Sequence, residues 1–421
     1  MPRGRKSSPQ TGEPMVGKRW AGVGMLAVLI AVVASVFAPN AMAQITPPDG
    51  PSPEVTAIQV KAIGRPQFVF GSDGRTHVEY DLVVTNVFTA EVTLRSLTVR
   101  ADGRTLLTLT GQALAEHTVT LFAAKPSAEI PPSAARLVLL DVVLPQSDGR
   151  QAPEQLSNRI HYSIPDNAPF RAAIGSTTVD GPVLSSSRRP PVRISSPLQG
   201  SGWVAAQGCC EDPTSPHRTA VLSANGTYVD AELFDIDWLQ EVDGALYHGD
   251  GKQLDDYPAF GAPIYAVADG SIVSTISDRP EVPPTEANPN LRTPDDFGGN
   301  EIVEKLGSGV YAFYAHLQTD SVMVRPGQVV HAGQMIARLG NTGNTTAPHL
   351  HFGIHDGPRP LASNSLPFEI DDYTLQGSVS PASTPTHVVI GGPSGPQQRS
   401  YPLIGSVFAS PAVPPLTSEA H

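Results

Sequence analysis

Cysteine and charge are both scarce in this sequence. Only two cysteines occur in 421 residues, Cys209 and Cys210, and they are adjacent. No framework of disulfides can therefore tie its loops together. Neighbouring cysteines close a vicinal ring, bond other chains or pack as two thiols, and no third cysteine completes a soft-ligand metal set. Asp, Glu, Lys and Arg make up 16% of the chain and the formal net charge is −12, with no polybasic stretch beyond the first twenty residues. That balance argues against a nucleic-acid partner held by a general positive field. There is no internal repeat, and no His-Glu-x-x-His pattern supports a helical metalloprotease plan with a Glu base.

One long uncharged run is present, Trp20 to Ala38. Arg3, Arg5, Lys6, Lys18 and Arg19 precede it, and Pro39-Asn40 and the small-x-small triplet Ala41-Met42-Ala43 follow. Basic segment, apolar segment and cleavable site in that order are read as a secretory signal peptide over residues 1–43. The run is also long enough to serve as an uncleaved membrane anchor. Either reading exports the rest of the chain, to the cell envelope or beyond.

Against these shortages stand 42 Pro and 38 Gly, nearly a fifth of the chain against roughly 12% in average usage. A uniformly helical or coiled-coil body is excluded. From Val55 to about Pro145 short alternating runs, such as Thr76–Val84 and Val92–Val99, end at Gly and Asp turns. This pattern predicts an Ig-like antiparallel β-sandwich over residues 44–165. His77, His117 and His161 are isolated there and read as structural or solvated. Residues 166–199, centred on Arg188-Arg189-Pro190-Pro191, read as a linker or extended strap. Residues 377–421, rich in Pro, Ser, Gly and Thr, read as a flexible tail.

Chemistry concentrates between these segments, in residues 200–376. Seven of the twelve histidines lie between His217 and His355. In Pro348-His349-Leu350-His351-Phe352, strand geometry puts both imidazoles on one face with Leu350 and Phe352 behind. Tyr311–Leu317 reads as a second such strand, with His316 sharing a face with Tyr314 and Ala312 while Phe313 and Leu317 face the core. In Leu233–Leu239, Phe234, Ile236 and Trp238 take one side and Asp235 and Asp237 the other. A carboxylate flanked by Ile and Trp needs a partner, and a metal is one way to provide it. His331 reads as structural. His355 lies roughly 13 Å along an extended strand from His351, outside the immediate set.

These residues resemble the lysostaphin/LytM-type zinc endopeptidases, which cut peptide cross-bridges in bacterial cell walls. The likeness runs from about 200 to 376. It rests on Gly261–Gly270, Gly299-Asn300, Tyr314-Ala315-His316-Leu317, Val324–Gln334, Gly340-Asn341-Thr342-Gly343-Asn344 and Pro348–Phe352. It implies a mainly antiparallel β catalytic domain with a groove, a zinc cofactor and a peptidoglycan peptide as substrate. It also implies that His351 binds zinc, and that His316 and His349 are the catalytic imidazoles that share proton transfer and oxyanion stabilisation. The family's remaining ligands come from a His-x-Gly-x-Asp motif that is absent here. Two replacements are open. His217 can pair with Asp237 across an insertion containing the Asn225-Gly226 turn, or His248 can pair with Asp250 or Asp255. The first is preferred, because Asp237 lies in a convincing strand and His248 in a loop pattern.

The expected fold is thus mainly β, a β-sandwich followed by an antiparallel zinc-peptidase sheet. The expected function is that of an exported zinc metalloendopeptidase. Its rivals are a degenerate member that keeps the fold and binds wall peptide without cutting it, and an adhesion or scaffold protein built on the N-terminal module. The Pro-rich insert from Ser277 to Phe297 is expected to line the groove or cover it.

Overall fold

Alternation decides the first half of the molecule. Along Thr76–Asn86, Val78, Tyr80, Leu82 and Val84 enter one core, while His77, Glu79 and Asp81 point the other way and are also fully buried. A computed structural model describes residues 53–121, 125–210 and 212–411. The leader or anchor read in residues 1–43 lies outside the described residues. The fold is mainly β, with antiparallel sheets.

Strands β1 (Ile58–Phe70), β2 (Thr76–Asn86) and β4 (Ala135–Val143) form one antiparallel sheet in the order β1-β2-β4. Strands β3 (Val92–Ala101) and β5 (Gln155–Ser163) pair in a second. Their apolar faces share one core that includes Leu82, Leu97, Leu140 and Ile160. Two-sided burial of β2 was not visible in its alternation. The polar face that alternation normally leaves to solvent is covered instead by the second half of the chain.

That half is built on one twelve-stranded sheet, with two further two-stranded ribbons. Its main strands are β6 (Gly200–Gln207), β7 (Ile236–Gln240), β8 (Gly270–Ile276), β9 (Glu301–Gly307), β10 (Val310–Ala315), β11 (Leu350–His355), β12 (Phe368–Val379) and β13 (Ser406–Ser410). They run in the order β12-β13-β6-β7-β11-β10-β9-β8. The strap is ordered: Val192–Ile194, just after Pro190-Pro191, pairs in parallel with Phe368–Ile370. The expectation of a flexible tail from 377 onward is overturned for the described part. Ser406–Ser410 pairs with both β6 and β12, and Tyr401, Val407 and Phe408 are fully buried. Composition misled because a few apolar residues at alternating positions suffice for a core strand. Phe408 packs on Trp238 with ring centroids 4.8 Å apart, a burial that contributes roughly 1.5–3 kcal/mol.

The two sheet systems meet at the buried face of β2, and from Pro53 on the described residues belong to one compact unit. The Arg218 guanidinium enters this seam, with Nη2 at 3.1 Å from both Glu79 Oε2 and Asp81 Oδ1. Beside it His77 Nδ1 contacts Asp141 at 2.9 Å. Cys209 and Cys210 form a buried vicinal disulfide just beyond β6. Burial opposes the charge on His77, yet Asp141 and Asp73 hold its pKa up at about 9. The sign follows from linkage. The His77 contribution is fully present below the unfolded value of about 6.5 and is lost as pH rises through 9. Wild type is therefore expected to lose about 3 kcal/mol relative to His77→Gln between pH 6.5 and 9, measured by denaturant unfolding.

Candidate metal centre and active site

Three neighbouring strands carry the site. Asp237 on β7 lies opposite His351 on β11, and His351 lies opposite Ala315 at the end of β10. Phe234, Ile236, Trp238, Leu350, Phe352 and Ile354 fill the core beneath, which leaves Asp235, Asp237, His349 and His351 to the other face. His217 reaches that face from the short turn Pro216–Thr219. The interval between His217 and Asp237 is taken up by a hairpin, Val221–Ala224 with Thr227–Asp230. Its tip residues Asn225 and Gly226 have φ of 51° and 79°, the two-residue turn that Asn-Gly favours.

Asp237 is the hub. Its carboxylate lies 3.3 Å from His217 Nε2, 2.9 Å from His351 Nδ1 and 3.4 Å from His349 Nε2. The donor atoms of His217, Asp237 and His351 all fall within 4.8 Å of one another. His217 donates from Nδ1 to the Asp235 carbonyl at 2.8 Å, which leaves its Nε2 turned to Asp237. Two imidazoles and one carboxylate are the usual three-ligand set for a hydrolytic zinc. The electrostatics fit a cation here. Burial disfavours charge on every member, yet Asp237 is held well below the usual carboxylate range by His217 and His349. Against the same burial, His217 is raised to about 9 by Asp237, and His351 is raised by Asp235 and Asp237.

His316 and His349 flank this trio, with ring centroids 4.6 Å apart. His316 Nδ1 donates to Thr342 O and His349 Nδ1 to Ala347 O, each at 2.7 Å. Nδ1 is thus engaged on both rings, and Nε2 of His349 lies 3.4 Å from Asp237 Oδ1. Burial, with His349 and His351 close by, lowers the pKa of His316 well below the ordinary histidine value. The strand expected to carry His316 stops at Ala315, and His316 itself has φ 61°, a left-handed conformation that is uncommon outside Gly and Asn. Backbone bonds from His316 N to Gly298 O and from Gly340 N to His316 O hold it there. This twist also corrects the expected faces. Ala312 and Tyr314 enter the main core, whereas Phe313 sits on the site face with its ring 5.9 Å from those of His351 and His355.

The insert expected to line or cover the groove is tied to the turn behind His316. Glu281 Oε2 accepts from Asn341 N at 2.6 Å, Val282 N donates to Asn341 O, and Asn288 Nδ2 donates to Gly343 O. The other ligand pair is not assembled: His248, Asp250 and Asp255 are exposed and join none of the donor clusters among the described residues. His331 pairs with Asp269 on the surface. A second cluster, His77, Glu79 and Cys210, lacks a free thiolate because Cys210 is in the disulfide.

Residues 254–363 match the model of peptidase family M23. The chain carries a peptidase family M23 domain. Its matched span contains His316, His349 and His351, while His217 and Asp237 precede it. Over 101 residues the chain is 34% identical to the peptidoglycan DD-endopeptidase ShyB of Vibrio cholerae, covering 24% of this chain and 19% of that protein. Over 130 residues it is 32% identical to lysostaphin of Staphylococcus simulans, covering 30% and 22%. The alignments thus span about a fifth of the length of these curated relatives. Among solved structures, the catalytic domain of Staphylococcus simulans lysostaphin aligns at 20% identity with a TM-score of 0.22, over 39% of this chain and 88% of that one.

Three residues next to this candidate site were given no role in it by the sequence reading. Asp235 was placed on the correct face but given no task. Arg218 adjoins His217 and binds the N-terminal sheet, and His355 reaches the Asp235 carboxylate at 3.1 Å. The signal for Asp235 was present, since two acids at i and i+2 share a face. The others depend on contacts across long separations.

Proposed function

We propose that this chain is an exported zinc metalloendopeptidase that hydrolyses peptide bonds in peptidoglycan stems or cross-bridges. The observation that carries the reading is the convergence of His217, Asp237 and His351 into one donor cluster with His316 and His349 beside it. The names of the M23 relatives supply the substrate class, and the residue 1–43 leader supports an extracytoplasmic location. His217, Asp237 and His351 would hold the metal. When bound, zinc supplies Lewis acidity that makes water a usable nucleophile near neutral pH.

The remaining steps belong to side chains of this chain. His316 and His349 each spend the Nδ1 proton on a backbone carbonyl and keep Nε2 for proton transfer. The ring whose Nε2 carries no proton accepts the proton of the attacking water, and the other, holding a second proton on Nε2 as imidazolium, donates it as a hydrogen bond to the negative charge that develops on the carbonyl oxygen. Phe313 and the buried strands beneath exclude water from the floor, which strengthens these interactions.

The purified chain is expected to release cross-link peptides from sacculi, to lose that activity on chelation and to regain it with stoichiometric zinc, as read by mass spectrometry of the soluble fragments. Stoichiometric zinc with no released peptide would instead identify a wall-binding protein.

A further inference from the structure

Resting on the metal site proposed above, we infer that Asp235 is the positioning residue that sets the tautomers of both metal-binding imidazoles. Its side chain is completely buried. Oδ2 accepts from His351 Nε2 at 3.1 Å, and Oδ1 accepts from the Ser365 hydroxyl at 2.7 Å. His355 Nε2 also lies 3.1 Å from Oδ2. Ser365 is itself fixed, because its oxygen accepts from the Phe234 backbone N–H at 3.1 Å. Opposite Asp235 stands Gly353, where a Cβ would overlap the carboxylate. The pocket around this acid is built to its shape.

The chemistry follows from proton counting. A neutral imidazole carries one ring proton, so fixing it on one nitrogen exposes the lone pair on the other. With its proton on Nε2 facing Asp235, His351 presents Nδ1 to Asp237 and the metal position. His217 is set the opposite way by the same residue, because its Nδ1–H donates to the Asp235 backbone carbonyl and Nε2 faces Asp237. One residue thus uses its main chain for one ligand and its side chain for the other. A carboxylate behind a metal-bound histidine also makes the ring a better donor, and losing such a partner typically weakens metal binding 10–100-fold.

The test compares zinc affinity, by chelator competition, in the full chain and in Asp235→Ala, Asp235→Asn and His351→Ala, together with the visible spectrum of each cobalt(II)-loaded protein. Asp235→Ala is expected to bind zinc about 10–100-fold more weakly and to show a shifted cobalt spectrum. Asp235→Asn should fall between it and wild type, since its amide oxygen can accept from Nε2–H without carrying charge. If Asp235→Ala does not fold, the Asp235→Asn affinity and spectrum decide alone. Wild-type affinity and an unchanged spectrum in the folded Asp235 variants, with zinc lost in His351→Ala, would overturn the inference. Wild-type zinc binding by His351→Ala would overturn the metal-site reading instead.

Discussion

Alanine at His316 or at His349 is expected to lower turnover on sacculi by about 10²–10⁴-fold while zinc remains at one per chain. Both side chains border the donor cluster, yet each is held through Nδ1 by a backbone carbonyl outside the trio, Thr342 O or Ala347 O. Neither anchor passes through His217 or His351, so truncating either imidazole leaves the trio around Asp237 in place. Alanine at His217, Asp237 or His351 should behave differently and remove zinc along with activity. His248→Ala should change neither, because that side chain is exposed. Metal content by atomic spectroscopy and fragment release on the same samples separate the two classes. His349 is the sharper case, since its Nε2 stands 3.4 Å from Asp237 Oδ1. Loss of zinc in His349→Ala would make it a ligand and leave His316 alone in proton transfer.

Arg218→Ala is expected to destabilise the protein by about 3–5 kcal/mol, read from denaturant unfolding. The guanidinium is almost completely buried and is shared by Glu79 and Asp81 on β2, which are also fully buried. Asp230 and Asp141 stand close enough to act on its charge. Removing the guanidinium takes away the cation that lowers the pKa of Glu79, Asp81 and Asp230 against their burial. Burial and mutual repulsion already push Glu79 well above the usual carboxylate range. Replacing the trio by Arg218→Met, Glu79→Gln and Asp81→Asn together should recover most of the loss, because the cost lies in an unpaired buried charge rather than in a missing attraction. Arg218 directly follows His217, so the same single substitution should also weaken zinc binding. If zinc affinity survives while stability falls, the seam supports the fold without supporting the site.

Much of the candidate site's convergence was legible in the sequence because its geometry is local to strands. His349-Leu350-His351 and Asp235-Ile236-Asp237 each declare a shared face through a period of two, and the register of β7 on β11 then brings the two pairs together. The Asn225-Gly226 turn likewise announced the hairpin that separates His217 from Asp237. What stayed hidden depends on distant partners. Arg218 meets Asp81 across 137 residues and His351 meets Asp235 across 116, and no local pattern records either meeting. The turn at His316 was missed because a histidine with positive φ carries no compositional mark. The tail was misread for the opposite reason. Its Pro, Gly and Ser content is real, but Tyr401, Val407 and Phe408 are enough to seat it.

The position of β13 sets a timetable for the whole molecule. Ser406–Ser410 lies between β6 and β12, and β6 is the neighbour of β7, which carries Asp237. Until residue 410 has been synthesised and released, β6 has an unpaired edge and Trp238 lacks the ring that packs on it. The twelve-stranded sheet therefore closes only when the chain up to residue 410 is available. A chain that stops short of this segment holds all five imidazole and carboxylate side chains of the candidate site without the finished sheet in which β7 and β11 sit.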